Sequence, residues 1–267
     1  MAAPSAAERH PVRDRSGLLS VRSHPWLSGA GIVTLLLAWE AAARAALVPP
    51  LFLPAPSACA LEAWRLIENG ELLRHTATSL QRIVIGFTLG ALSGVAVGVG
   101  TGFFGRARAL GVPLIHATYP IPKIAILPLL ILWLGIGEAP KVAVIAIGVF
   151  FPMAINTHTG IAECDPALLR AGISFGATRW ALVRKVLLPA SLPMIFAGLR
   201  LAAGISLLLV VSAELIAADS GLGFLILNAA DLLQTEDLMV GLVVLSLLGL
   251  VFNALISWAE RALIRWR

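Results

Sequence analysis

Charge is what this sequence has least of. Only 13% of its 267 residues are Asp, Glu, Lys or Arg, where a soluble domain carries about a quarter. Hydrophobic residues reach 58% and the mean hydropathy is +0.90, which excludes an ordinary water-soluble globule. Cysteine is nearly absent. Cys59 and Cys164 fall on opposite sides of the membrane topology read below, so they form no disulfide framework or metal site. His10, His24, His75, His116 and His158 are scattered without ligand spacing. No Gly-Lys dipeptide occurs, so the phosphate loop G-x-x-x-x-G-K-[ST] is impossible. Apolar–polar alternation at period two is missing as well, which removes a membrane β-barrel. No catalytic, metal or cofactor site is read from this chain.

What is present is a series of apolar runs, each near the roughly 20 residues that cross a bilayer as a helix. Six spans are expected, at 27–48, 80–103, 111–134, 140–161, 191–217 and 238–263. The fold class is all-α integral membrane protein. Residues 1–26 read as a disordered cytoplasmic tail, 49–79 as an extracytoplasmic loop, and 80–267 as the core, with a loop at 162–190. Arginines orient the spans. Arg9, Arg13, Arg15 and Arg22, then Arg106 and Arg108, then Arg170, Arg179, Arg184 and Lys185, then Arg261, Arg265 and Arg267 share one side. Basic excess marks the cytoplasmic face, so both termini and the 162–190 loop are expected there. The pI of about 10.0 is this bias, and no basic face with interleaved aromatics points to nucleic acid. The first span has two readings, a cleaved signal peptide or an uncleaved anchor. Glu40 and Arg44, spaced for a helical ion pair, favour the anchor.

In the 49–79 loop, Pro49, Pro50, Pro54 and Pro56 enforce an extended entry. Ser57 is expected to cap a short helix to about Ile67, lying on lipid headgroups or meeting a delivery protein. In the second span Gly86, Gly90, Gly94, Gly98 and Gly102 fall at every fourth position. Such a stripe lets a second backbone approach closely, within the chain or across a dimer seam. The third span is interrupted by Pro120, Pro122 and Pro128, with Lys123 among them. A break of this kind survives in a bilayer only against protein or a watery cavity. Arg200 and Glu214 sit inside the fifth span, too far apart to pair. Pro122, Lys123, Pro128, Arg200 and Glu214 are therefore candidates to line a passage, Arg200 either for an anion or for packing.

The 162–190 loop carries the most information. Asp165 and Pro166 begin a helix, Gly176 permits a turn, and Trp180, Leu182 and Val183 give a second short apolar helix that Pro189 and Pro193 end. Ala171, Gly176, Val186, Leu188 and Pro189 follow a fixed spacing. That spacing resembles the E-A-A loop of ATP-binding cassette (ABC) importer permeases, with Arg170 in place of the usual Glu and Gly172 in place of Ala. The turn Ser220–Gly223 resembles one in the same family, and Leu53–Ser57, His75–Phe87, Ile131–Gly137 and the loop through Gly198, Leu199 and Arg200 are similar to its sulfonate, taurine and nitrate branch.

The resemblance implies a type I importer permease with a cytoplasmic coupling helix–turn–helix. It implies that Arg170, Ala171, Gly172, Gly176, Ala177, Thr178, Val186, Leu188 and Pro189 form the ATPase-coupling loop. It implies as partners an ABC ATPase dimer holding ATP and Mg, a second permease copy, an extracytoplasmic solute-binding protein and membrane lipid, with no nucleic acid. The implied cargo is a small anion such as a sulfonate, taurine or nitrate. Phthalate, a pyrimidine or vitamin precursor remain open, and so does an ion-coupled secondary transporter.

Overall fold

A chain that crosses lipid must satisfy its backbone internally, and here it does so with helices alone among the described residues. The computed structural model describes the backbone of residues 25–264 and the side chains of residues 29–264. The tail expected at 1–26, and Arg265 and Arg267, lie almost wholly outside the described residues. Eleven α-helices follow in order among the described residues. They are α1 (Pro25–Arg44), α2 (Pro56–Glu68), α3 (Glu71–Phe103), α4 (Gly105–Thr118), α5 (Leu127–Leu134), α6 (Glu138–Ala162), α7 (Pro166–Ser174), α8 (Arg179–Leu182), α9 (Leu188–Ala217), α10 (Leu222–Asp231) and α11 (Thr235–Leu263).

The glycine stripe organises the bundle. An added Cβ at Gly86, Gly90, Gly94, Gly98 or Gly102 would sit within 2.8 Å of an atom of α6. Their side-chain neighbours are Ile145, Val149, Met153, Thr157 and Ile161 in turn. Both series ascend together, so α3 and α6 run parallel at constant offset, backbone nearly on backbone. Parallel neighbours require that the chain recross the membrane once between them. The α4–α5 pair does so. It is bent by 90°, so the expected third span is a broken one that starts earlier, at Gly105.

On its other side α6 meets α9. Gly148 faces Leu209, while Gly160 faces Ser191 and Met194, so this pair is antiparallel. More than half of α6's apolar window is buried, against 17% for α11. The central helix is therefore α6, and α11 lies at the edge. The main core is Ile83, Val144, Ile145, Val149, Met153, Ala202 and Val210. A second core at one end joins Leu66 of α2 and Leu72 of α3 to Leu222 and Leu225 of α10 and Val240 of α11. The exposed apolar residues of α1, such as Leu35 and Leu37, lie outside both cores.

Several expectations need correction. The 49–79 loop is shorter than read, because α3 starts at Glu71, where the Asn69 side chain accepts the Glu71 N–H at 2.9 Å. Ser57 does not cap α2. Its N–H and hydroxyl instead donate to Glu40 of α1, at 3.0 and 2.7 Å. A carboxylate from a neighbouring helix outcompetes the local hydroxyl at the positive helix end, and Glu40 also holds Arg44. Pro189 and Pro193 do not end a helix, because Arg179–Ala217 runs on as one 39-residue rod. Between Val183 and Leu187 the chain widens into a π-turn, and the Leu188 N–H reaches back to the Val183 carbonyl. That register slip just before Pro189 accommodates its missing N–H.

Candidate functional site

The two ends of the bundle differ in chemistry. At one end α7 and α8 form a hairpin of 9 and 4 residues, too short to span. Asp165 caps α7 by accepting the Ala167 N–H at 2.7 Å, with Pro166 in the first turn. The C-terminus of α7 is closed by two bonds, Ala177 N–H to the Gly172 carbonyl at 3.0 Å and Gly176 N–H to Ile173 at 2.9 Å. That pair needs a left-handed residue at Gly176, whose φ is +75°. Gly172 leaves room for the tip of Leu182. Thr178 then caps α8 through the Ala181 N–H at 3.3 Å.

The inner face of the hairpin is finished. Leu169, Val183 and Leu187 pack against Ile161 of α6 and Phe103 of α3. Its outer face is open: Leu168 and Ile173 are exposed, Phe175 is 90% exposed and Trp180 72%. Arg170, Arg179, Arg184 and Lys185 surround them, all exposed. Lipid tails do not explain this patch, because four exposed basic side chains surround it. An apolar surface ringed by cations is suited to a protein partner's groove.

The opposite end closes on itself. Arg82 of α3 is 1% exposed. Its Nε and Nη2 donate to both oxygens of Glu138, at 2.5 and 2.6 Å. Its Nη1 donates to Glu214 at 2.8 Å and to the Ser220 carbonyl at 2.6 Å. Glu214 also accepts from the Ser79 hydroxyl at 2.8 Å and the Gly223 N–H at 2.8 Å. Ser79 accepts the Leu222 N–H, and His75 Nδ1 accepts the Gly221 N–H at 2.9 Å. Lys141 donates to Glu138 at 3.1 Å. The turn after α9 is thereby clamped to α3. Gly221, at φ +118°, is needed there because an added Cβ would collide with the Glu214 carboxylate.

At the break between α4 and α5, Pro120 and Pro122 supply no N–H to the last carbonyls of α4. Lys123 donates to the last one, Thr118, at 3.2 Å, and to Tyr119 and Ile121 just beyond it at 2.7 Å each. Its ammonium also lies 4.2 Å from the Phe151 ring centroid.

The chain was compared with known proteins. The family model described as binding-protein-dependent transport system inner membrane component matches residues 86–267. This chain belongs to that family. It is an ABC importer permease, a multi-pass membrane transport subunit, and the family implies an ATPase and a binding protein as partners. The aliphatic sulfonates transport permease protein SsuC of Bacillus subtilis is 34% identical over 98% of this chain and 92% of its own. The taurine transport system permease protein TauC of Escherichia coli is 34% identical over 90% of this chain and 89% of its own. Among solved structures, a chain of the MetNI methionine ABC transporter in an inward-facing crystal form superposes with a TM-score of 0.63. It is 21% identical and covers 72% of this chain and 95% of that one. That likeness concerns the fold.

The structure gathers Arg170, Ala171, Gly172, Gly176, Ala177 and Thr178 of the permease on the hairpin. Val186, Leu188 and Pro189 lie on the rod that carries it. The passage candidates do not converge. Pro122 and Lys123 are at the α4–α5 break, and Pro128 is in the first turn of α5. Arg200 pairs with Glu260 of α11, near the hairpin end. Glu214 lies wholly inside the Arg82 network. Reading the sequence missed Arg82, Glu138, Ser79 and His75 as one assembly. One signal was available: His75, Ser79 and Arg82 fall on one helical face, within a stretch already singled out.

Proposed function

We propose that this permease forms half of a homodimeric pathway that imports a small organic sulfonate, an aliphatic sulfonate or taurine. A separate ATPase dimer, holding ATP and Mg, drives it from the cytoplasm. A solute-binding protein delivers cargo at the Arg82 end, and both termini face the cytoplasm. The observation that carries the reading is the hairpin, which exposes Phe175 and Trp180 among arginines while its base is locked to α3 and α6. When the ATPase subunits close, the hairpins move together. The 39-residue rod they begin then tilts as a rigid body and reopens the passage outward. The passage runs beside the α4–α5 break, which requires protein or water next to it. Lipid covers the exposed apolar face of α11, where Leu250 and Leu255 project. The cargo class rests on the sulfonate and taurine relatives.

The test is Gly176→Trp. A tryptophan at φ +75° distorts the turn without touching the spans. Membrane insertion should persist while copurification with the ATPase and sulfonate uptake are lost. Retained copurification and uptake would contradict the docking role.

A further inference from the structure

A cleft of about 470 Å³ opens at the Arg82 end, within the usual range for a small-ligand site of roughly 300–1,000 Å³. Ile131, Ile136 and Ala217 give it apolar walls, while Lys141 and Glu138 stand together in its lining. Asp219 is also on the rim, exposed, and among the described residues its side chain is bonded only by the Ser220 hydroxyl.

Two cations and two carboxylates meet behind this cleft, and the two carboxylates are not alike. Glu214 has a side-chain exposure of 0%, and its oxygens are taken by Ser79, Arg82 and the Gly223 N–H. It is fixed. Glu138 is 56% exposed, yet it is what neutralises Arg82 at 1% and Lys141 at 4%. Lys141 has no hydrogen-bond acceptor besides Glu138 among the described residues. A buried cation held by a water-exposed carboxylate is a replaceable pair, because the carboxylate recovers its hydration when it leaves. With Glu138 in place, Arg82 and Lys141 are each paired with a carboxylate. With Glu138 swung into water, Lys141 is left without a bonded anion beside an apolar wall, because the Asp219 carboxylate on the rim makes no bond to it among the described residues.

We infer that Lys141 and Arg82 form a receiving site for a small monoanion with an apolar tail, and that Glu138 is the internal anion this ligand displaces. This rests on the proposed transport of organic sulfonates and locates the anionic head of that cargo as it enters. A sulfonate presents paired oxygens to a guanidinium much as a carboxylate does. A neutral solute restores no charge balance and does not displace Glu138. The exchange also frees the start of α6 from α3, since Glu138 is the first residue of α6.

The experiment uses the permease–ATPase complex in lipid nanodiscs. Its thermal unfolding is followed against butanesulfonate, at ionic strength matched with chloride, and against neutral butanesulfonamide. Butanesulfonate should stabilise the complex, with the half-effect concentration lowered about tenfold by Glu138→Gln, a change of about 1.4 kcal/mol. Glu138→Asp, which keeps the charge on a shorter arm, should lower it in the same direction if the Gln variant does not assemble. Adding Lys141→Met should abolish the shift, Lys141→Arg should keep it, and butanesulfonamide should give none. A shift that ignores Glu138, survives Lys141→Met or occurs with the sulfonamide overturns the site. Butanesulfonate uptake that persists at full rate in Lys141→Met also overturns it and leaves the transport reading intact. A sulfonate shift with the predicted variant pattern, in a complex that imports no sulfonate, supports the site and contradicts the cargo.

Discussion

The Arg82 end of this permease pairs its buried polar groups within the chain, and the hairpin end leaves apolar ones exposed. At the first, one guanidinium joins α3 to α6, α9 and the turn before α10. At the second, Phe175 is 90% exposed, a few residues from a fully buried base. Buried charge is costly alone and tolerable in a complete network, and the Arg82 end supplies such a network within the chain. Exposed aromatics beyond the lipid remain a cost until something covers them. The contrast fits the proposed roles: the Arg82 end is held together by bonds within the chain, and the hairpin end offers an apolar surface for the proposed ATPase.

The largest effect that would break this contrast is expected at Arg82. Arg82→Met leaves Glu214 buried without its cation, and about 3–5 kcal/mol of stability should be lost, read by thermal unfolding in detergent. An unchanged midpoint would mean that the network does not hold the Arg82 end. Next comes the grip. Phe175→Ser should leave that midpoint alone but weaken ATPase binding by about 2 kcal/mol, roughly thirtyfold, in titrations of reconstituted permease. Loss of stability without loss of affinity would reverse the assignment.

Gly94→Leu probes the α3–α6 contact between the ends. The new Cβ meets Met153 and the Phe150 carbonyl at 2.6 Å, so overpacking should cost about 1–3 kcal/mol. Gly100→Ala, on the same helix but facing open space, should instead be neutral or slightly stabilising. The smallest effect is Arg200→Leu. Its partner is Glu260 and the arginine is 40% exposed, so the change should lie within about 1 kcal/mol with uptake preserved. A large loss of uptake at normal stability would return Arg200 to the passage.

Local pattern made part of this readable. Apolar runs showed a helical membrane protein, and the hairpin followed from Asp165, Pro166 and Gly176, whose cap and turn are decided within a few residues, while the cap by Thr178 emerged only in the structure. The glycine stripe was visible, but which helix it faces depends on how α6 returns. Of the Arg82 network only the shared helical face of His75, Ser79 and Arg82 was legible, because the partners of Arg82 lie 56 to 138 positions away. Ser57 shows the same limit on a smaller scale: its local role as a cap lost to Glu40, 17 residues away. Pro189 failed as a stop signal because a π-turn before it absorbed the missing donor, a compensation that single-residue rules do not contain.

The most direct measurement is a crosslink from the hairpin tip. In a chain with Cys59 and Cys164 replaced by alanine, Phe175→Cys should crosslink to the nucleotide-hydrolysing subunit in intact membranes, and Asp219→Cys should not. No adduct from position 175 in a complex that still hydrolyses ATP, or an adduct there with the extracytoplasmic binding protein, would contradict the account.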